Sequence, residues 1–167
     1  MSQPLRTSLT LAVLVLLLVV AAVWGWSAAT EPLPGKADPP ICVATPVSKG
    51  DRIRPNQVTV SVYNAGRREG LAGRTRQLLT DRGFAGGPAG NVTGSRVRTA
   101  EIWTESPDSP AVSLVASVLG KKVKIRQRTA PGVGVTVVVG DDFRKLVKGK
   151  RAVSAVEDTE ICSPPVE

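Results

Sequence analysis

Four basic side chains at alternating positions form the pattern in this sequence that is best suited to binding. The segment KVKIRQR carries a positive charge at every second residue, at Lys122, Lys124, Arg126 and Arg128. In a β-strand, alternate side chains point to the same face, so these charges would form a ladder with a spacing of about 6.6 Å. A polyanion with repeating phosphates could lie along such a ladder. A charged edge strand that prevents aggregation between sheets has the same pattern, and both interpretations remain open.

A second candidate site is the turn at residues 64–70. It contains Asn64, Gly66, Arg67, Arg68 and Gly70, and it joins the end of a predicted strand to the start of a predicted helix. Free backbone N–H groups at a helix amino terminus can bind an anion, and the two arginines stand beside them. A tight connection that needs glycine for backbone reasons is the alternative interpretation.

Enzymatic chemistry has little support in this sequence. The chain has no histidine, which excludes Ser–His–Asp and Cys–His arrangements, and two cysteines alone do not make a zinc site. Asp141 and Asp142 follow a predicted strand, where acids can hold magnesium, but such a pair more often caps the next turn. Trp103 is either a sugar platform or a packing residue. We therefore expect no catalytic residue, no metal and no cofactor.

The elements that position these residues follow from hydrophobic periodicity. Alternation predicts strands, and apolar residues at i, i+4, i+7 and i+8 predict a helix. The predicted order is a strand at 57–63, a helix from Leu71 ended by Gly83, a glycine-rich loop or irregular edge strand at 83–91, a strand at 98–104, a helix at 111–119, strands at 122–128 and 133–139, and a helical turn at 143–147. This order predicts an α+β fold: a two-layer sandwich of a four- or five-stranded sheet with two helices on one face.

The same periodicity predicts which side chains are buried. The first strand should be half-buried, with Val58, Val60 and Val62 inward. In the strand at 122–128, Val123 and Ile125 should point inward. The first helix should bury a stripe made of Leu71, Thr75, Leu78 and Leu79.

An apolar segment precedes the domain. Residues 9–26 carry no charge and would span about 27 Å as a helix, close to the thickness of the bilayer core. Trp24 and Trp26 suit the membrane interface, and Arg6 on the other side favours a cytoplasmic amino terminus. A cleaved signal peptide is the alternative, but the segment is longer than the usual apolar region of one. We expect residues 1–8 in the cytoplasm, a transmembrane helix at 9–26, a proline-rich linker at 27–40 and an extracytoplasmic domain at 41–167.

Two cysteines bracket the folded region. Cys42 and Cys162 would pair in an oxidising compartment, and the bridge would close a loop of about 120 residues and contribute roughly 5 kcal/mol. Two unrelated buried thiols are the alternative. The net charge of +8 favours anionic wall polymers or lipid head groups as partners. Nucleic acid is not expected outside the cytoplasm, and 4% aromatic residues offer few stacking platforms.

Several motifs in order resemble the LytR C-terminal domain family of actinobacterial envelope proteins. They are VTVSVYNAG at 58–66, GLA at 70–72, LLTDRGF at 78–84 and VTVVVGDD at 135–142, which place the core of the domain at 58–142. The anchor, the flanking cysteines and the absence of another domain resemble the stand-alone cell envelope integrity type. This resemblance implies a non-catalytic accessory or scaffold domain. It also implies envelope assembly partners, such as a glycopolymer transferase of the LytR-CpsA-Psr type, and transfers no catalytic residue.

Overall fold

The computed structural model describes residues 3–30 and 40–165, which form two separate units. The first is a single helix, α1 (Gln3–Thr30), which extends beyond the predicted segment at both ends. Within it, Leu9–Ser27 is long and apolar enough to cross a membrane. Of the predicted proline-rich linker, residues 31–39 lie outside the described residues, as do residues 1 and 2 of the predicted cytoplasmic segment.

The second unit is a mixed α+β domain that begins at Pro40. Its elements in chain order are β1 (Val43–Val47), β2 (Arg52–Ile53), a 3-10 turn (Pro55–Gln57), β3 (Thr59–Asn64), α2 (Leu71–Thr80), β4 (Ala85–Asn91), β5 (Ala100–Thr104), α3 (Pro110–Leu119), β6 (Lys124–Gln127), β7 (Val135–Val139), β8 (Val153–Ser154) and β9 (Thr159–Ser163). Five strands form the central sheet in the order β4-β3-β7-β5-β6. The predicted two-layer α+β class is confirmed.

The core lies between the sheet and the two helices. Strands β4, β3 and β7 run parallel, β5 is antiparallel to β7, and β6 is parallel to β5. Apolar residues of α2 and α3 pack with Val60, Val62, Ile102 and Val137 in one cluster. The strand predicted at 98–104 is present as β5, in which Ala100 and Ile102 are buried.

Strand β3 is buried on both faces, so the expectation of a half-buried strand is wrong. Thr59 and Ser61 are each no more than 1% exposed. The Ser61 hydroxyl donates a hydrogen bond to the Val133 carbonyl at 2.6 Å, from a loop that covers the second face of the sheet. A smaller cluster around Trp103 and Val138 also lies away from the main core. The alternation of Val with Thr and Ser in this strand did not indicate that a loop covers the second face of the sheet.

Helix α2 is rotated slightly from its predicted register. Leu71, Thr75 and Leu79 are buried as expected, but Ala72 is buried and Leu78 is 40% exposed. At about 100° per residue, Leu78 falls at the margin of the buried stripe and Ala72 falls inside it. The helix ends as predicted: Gly83 has φ +90°, its N–H donates to Thr80, and the Phe84 N–H donates to Leu79 at 3.2 Å.

Two further expectations need correction. Ile125 in β6 is 41% exposed, because β6 is the last strand of the sheet and neither helix reaches over it. The segment 143–147 forms no helical turn, because the Asp141 side chain is bonded to another part of the chain and does not cap it. The glycine-rich segment is an irregular edge strand, β4, whose register with β3 shifts between Val60 and Val62.

The disulfide between Cys42 and Cys162 is confirmed. Their Cα atoms lie 5.4 Å apart, and the bridge encloses a sequence separation of 120 residues. Beside it, β1 pairs antiparallel with β9, with Ala44 opposite Cys162. The two ends of the domain are therefore joined both covalently and by a strand pair.

Candidate functional site

One end of the central sheet brings together segments that are distant in the sequence. Strands β3 and β7 end there, while the antiparallel β5 and its neighbour β6 begin there. Because β4 and β5 lie on opposite sides of β3 and β7, the connection between them must cross these two strands. It does so at Gly140, whose N–H donates to the Thr99 carbonyl at 2.9 Å. A Cβ at Gly140 would overlap the Val97 carbonyl, so only glycine allows this close crossing.

The 64–70 turn is held by its own side chains. Asn64 is 5% exposed; its Nδ2 donates to the Arg68 carbonyl, and its Oδ1 accepts a bond from the Gly66 N–H, both at 2.9 Å. Gly70 occupies the N-cap position of α2 with φ +68°, a left-handed conformation that favours glycine. Asn64 and Gly70 thus shape the turn, and Arg67 is its exposed basic residue.

A carboxylate of the chain itself binds in this turn. Asp141 Oδ1 accepts hydrogen bonds from the Arg67 N–H at 2.8 Å and from the Arg68 N–H at 3.0 Å. The Arg68 guanidinium donates to the carbonyls of Asp141 and Phe143. The backbone N–H groups of Arg67 and Arg68 that could receive an external anion therefore already bond the carboxylate of Asp141.

The basic ladder lies at the β6 edge of the sheet. All four residues of β6 are exposed, and the Arg128 N–H continues its pairing with a bond to the Thr104 carbonyl. Arg126 lies 3.6 Å from Glu101, and the Arg128 guanidinium stacks 3.9 Å from the centre of the Trp103 ring. Lys124 belongs to the strand, while Lys122 stands in the turn before it. Lys122 is therefore an extension of the ladder outside the strand.

Trp103 is a packing residue in this structure. It is 2% exposed, and its Nε1–H donates to Glu101 at 3.1 Å. Its ring has Arg128 stacked over it. The alternative of an open sugar platform does not fit this burial.

An open cleft of about 920 Å³ lies between the ladder and the crossing segment. We call it the basic cleft, and six of its lining residues are basic: Arg96, Arg98, Lys121, Lys122, Lys124 and Arg126. Two smaller hollows of about 600 and 390 Å³ adjoin it; the first reaches Arg128 and the second reaches Arg67. The structure thus places the outer residues of both predicted sites along one continuous surface.

Sequence reasoning missed Arg96 and Arg98. They flank the buried Val97 in the segment SRVR, which repeats the alternation of basic and apolar residues seen at 122–128. That alternation is a usable signal, but three residues are too few to stand out. Their position opposite β6 depends on the order of strands in the sheet.

The side chains of Asp141 and Asp142 in this region both have partners. Asp142 lies 3.3 Å from Arg98, and Asp141 is held in the 64–70 turn. Across residues 3–30 and 40–165, no three His, Cys, Asp or Glu side chains gather where they could hold a metal ion. The geometry is that of an exposed surface rich in basic side chains.

Comparison with known proteins agrees with the motifs. A family model described as LytR cell envelope-related transcriptional attenuator matches residues 57–143. The soluble domain of a conserved hypothetical secreted protein, an Rv2700 ortholog from Mycobacterium marinum, shows 23% identity and a TM-score of 0.45 over 62% of this chain and 70% of its own. The C-terminal domain of RV0431 shows 26% identity and a TM-score of 0.31, and the match covers 66% of this chain and 93% of that domain. No curated protein matches the chain.

Proposed function

We propose, from the premise that this chain belongs to the LytR C-terminal domain family, that it is an accessory or scaffold protein supporting cell envelope integrity or wall assembly. It acts by binding and not by catalysis. The match of residues 57–143 to a cell envelope-related family carries the proposal. The basic side chains at one end of the sheet supply a surface suited to binding.

The proposed arrangement is a domain held outside the cytoplasm by α1. Residues 1–8 lie in the cytoplasm, residues 9–26 cross the membrane, residues 27–40 act as a spacer and residues 41–167 form the extracytoplasmic domain. The apolar helix at Leu9–Ser27 and the disulfide between Cys42 and Cys162 support this proposal. Alkaline phosphatase fused after the last residue should be active, and an inactive fusion would reverse the proposed orientation.

The proposed partner is a membrane-bound glycopolymer transferase of the LytR-CpsA-Psr type. The exposed Arg67 in the 64–70 turn, fixed by Asn64 and Asp141, is a candidate contact for such a partner. A second candidate function is binding of anionic wall polymer or lipid head groups through Lys122–Arg128. The basic cleft beside that strand favours it.

Complementation of a strain that lacks this chain tests the proposed function. We expect the strain to be sensitive to detergents and wall-directed antibiotics, and the full chain to restore resistance. A version in which α1 is replaced by a cleavable signal sequence should restore less, because the domain is no longer concentrated at the membrane. Unchanged envelope resistance in the deletion strain would remove the proposed function.

A further inference from the structure

The basic cleft has two walls of different origin. One is the crossing segment with Arg96 and Arg98, and the other runs from Lys121 through β6. Val97 is buried between the first wall and the sheet, which fixes the backbone of that wall. Hydrogen bonds from the Gly140 and Asp142 N–H groups to the Thr99 and Arg98 carbonyls hold it further. The backbone that carries Arg96 and Arg98 is therefore held in place by packing and hydrogen bonds.

The acids beside the cleft do not neutralise it. Glu101 pairs with Arg126 and Asp142 pairs with Arg98, in both cases through the arginine Nε atom. A guanidinium has five N–H donors, so these pairs leave terminal N–H groups for a ligand. The side chains of Arg98 and Asp142 are 89% and 53% exposed, and an exposed pair of this kind is weak enough to exchange partners. The side chain of Arg126 is 55% exposed although that of its partner Glu101 is 16% exposed, so its guanidinium remains accessible to a ligand.

The residue types favour phosphate as the ligand group. Arg96, Arg98, Arg126 and Arg128 offer planar forks that bind phosphate oxygens in pairs, and Lys122 and Lys124 add point charges. The charges are also spread along a line. From Lys124 to Arg128 the chain covers about 13 Å. The hollow at Arg67 extends the basic surface beyond the Lys124 end of this strand. A single small anion would use only part of it.

The two edges of the sheet differ in a way that bears on the ligand. At β4, Pro88 lacks a donor and Arg76 covers the Gly87 carbonyl with a hydrogen bond of 3.3 Å, so that edge is protected. Edge β6 is protected only by its charges, which would attract an acidic peptide as an added strand. However, Arg96 and Arg98 lie across the cleft and not along that edge, and a peptide paired with β6 would not need them.

From these observations we propose that the basic cleft binds an extended polymer with phosphodiester groups, which lies between Arg96–Arg98 and Lys122–Arg128. This inference rests on the proposed envelope function and names the ligand class and the second wall. Binding would be electrostatic and would weaken steeply with salt, by about 0.7 units of log affinity per log unit of salt for each phosphate contact.

Binding of the full chain in phosphatidylcholine nanodiscs to labelled poly(glycerol phosphate), followed by fluorescence anisotropy, tests the proposal. Arg96→Glu and Lys124→Glu reverse one charge on each wall. We expect each to weaken binding and the double variant to weaken it by at least about tenfold at about 0.1 M salt. Lys145→Glu with Lys148→Glu makes the same change in net charge at exposed sites outside the cleft and should have less than about a twofold effect.

Several outcomes would overturn the inference. Undiminished binding by Arg96→Glu would show that the first wall does not contact the polymer. Equal weakening by the control pair would show nonspecific attraction to the net charge. Equally tight binding of polyglutamate would point to an acidic peptide, and equally tight binding of phosphatidylglycerol vesicles would point to lipid head groups. Absence of polymer binding in a chain that still restores envelope resistance would refute this inference and leave the proposed function standing.

Discussion

At the scale of single residues, Asp141 and Asp142 are neighbours with different surroundings. Asp141 is half-buried and accepts two backbone hydrogen bonds from the 64–70 turn, at 2.8 and 3.0 Å. Asp142 forms an exposed pair with Arg98 at the basic cleft. The sequence offered anion binding in the turn as one of two interpretations and did not point to Asp141, because 73 and 74 residues separate Asp141 from its donors. Periodicity contains no information on that pairing.

Replacing each acid separately measures this difference. Asp141→Ala should lower the free energy of unfolding by about 2–3 kcal/mol, because two N–H groups of the turn lose a charged acceptor. Asp142→Ala should change it by less than about 0.5 kcal/mol, because its ion pair is exposed. Urea denaturation in detergent of the chain carrying Trp24→Phe and Trp26→Phe, followed by the fluorescence of the buried Trp103, measures both. Equal effects would contradict the assignment of Asp141 to the turn.

The Asp141 carboxylate packs directly against the backbone of Gly66. A Cβ at this position would overlap Asp141 Oδ1 and lie 2.9 Å from the Asp141 backbone nitrogen. Gly66→Ala should therefore lower the free energy of unfolding by about 2–4 kcal/mol. Gly73 in α2 is a matched control, because nothing lies within 4 Å of its added Cβ. Gly73→Ala should raise stability by about 0.5–1 kcal/mol, and a loss at Gly73 comparable to that at Gly66 would refute the steric argument.

At the scale of elements, the strands of the central sheet and the two helices packed on it were predictable, but the surroundings of each strand were not. The alternation at 122–128 predicted a strand, and Gly83 predicted the end of α2 with its left-handed conformation. Exposure of Ile125 and burial of Ser61 depend on the position of each strand in the sheet, which alternation does not encode. The place of Arg96 across the basic cleft likewise follows from the order of the strands.

The edge position of β6 predicts a second role for its charges. Lys124→Thr with Arg126→Thr keeps strand-forming residues at an open edge but removes the charges that oppose pairing between sheets. We expect larger, concentration-dependent species in sedimentation velocity of the full chain in detergent. Lys145→Thr with Lys148→Thr is the control and should sediment like the original chain. Unchanged sedimentation of the β6 variant would show that these charges are not needed to prevent pairing between sheets.

At the scale of the whole molecule, the ends of the domain are tied together. The sequence predicted the pairing of Cys42 with Cys162 from their positions and from the expected compartment, and the structure confirms it. The β1–β9 pair beside the bridge was not predicted, because the segments are short and irregular in pattern. The apolar segment predicted a membrane-spanning helix, and Leu9–Ser27 of α1 has the length and composition for one.

Removal of the disulfide tests how much this closure contributes. Cys42→Ser with Cys162→Ser should lower the free energy of unfolding by about 3–5 kcal/mol, because the bridge closes a loop of 120 residues. The β1–β9 pair should still form in the folded variant. Thiol labelling of the unfolded chain should find no free cysteine before reduction and two after it. Unchanged stability of the double variant would show that the strand pair alone is sufficient.

The most direct test of the proposed accessory role is affinity capture from gently solubilised membranes. The full chain is the bait, the chain truncated after α1 is the control, and bound material is identified by mass spectrometry after low-salt and high-salt washes. We expect enrichment of a glycopolymer transferase that remains bound in the high-salt wash. Recovery of wall polymer alone, lost in high salt, would contradict the adaptor role and favour the basic cleft. Enrichment of neither over the control would contradict the binding function itself.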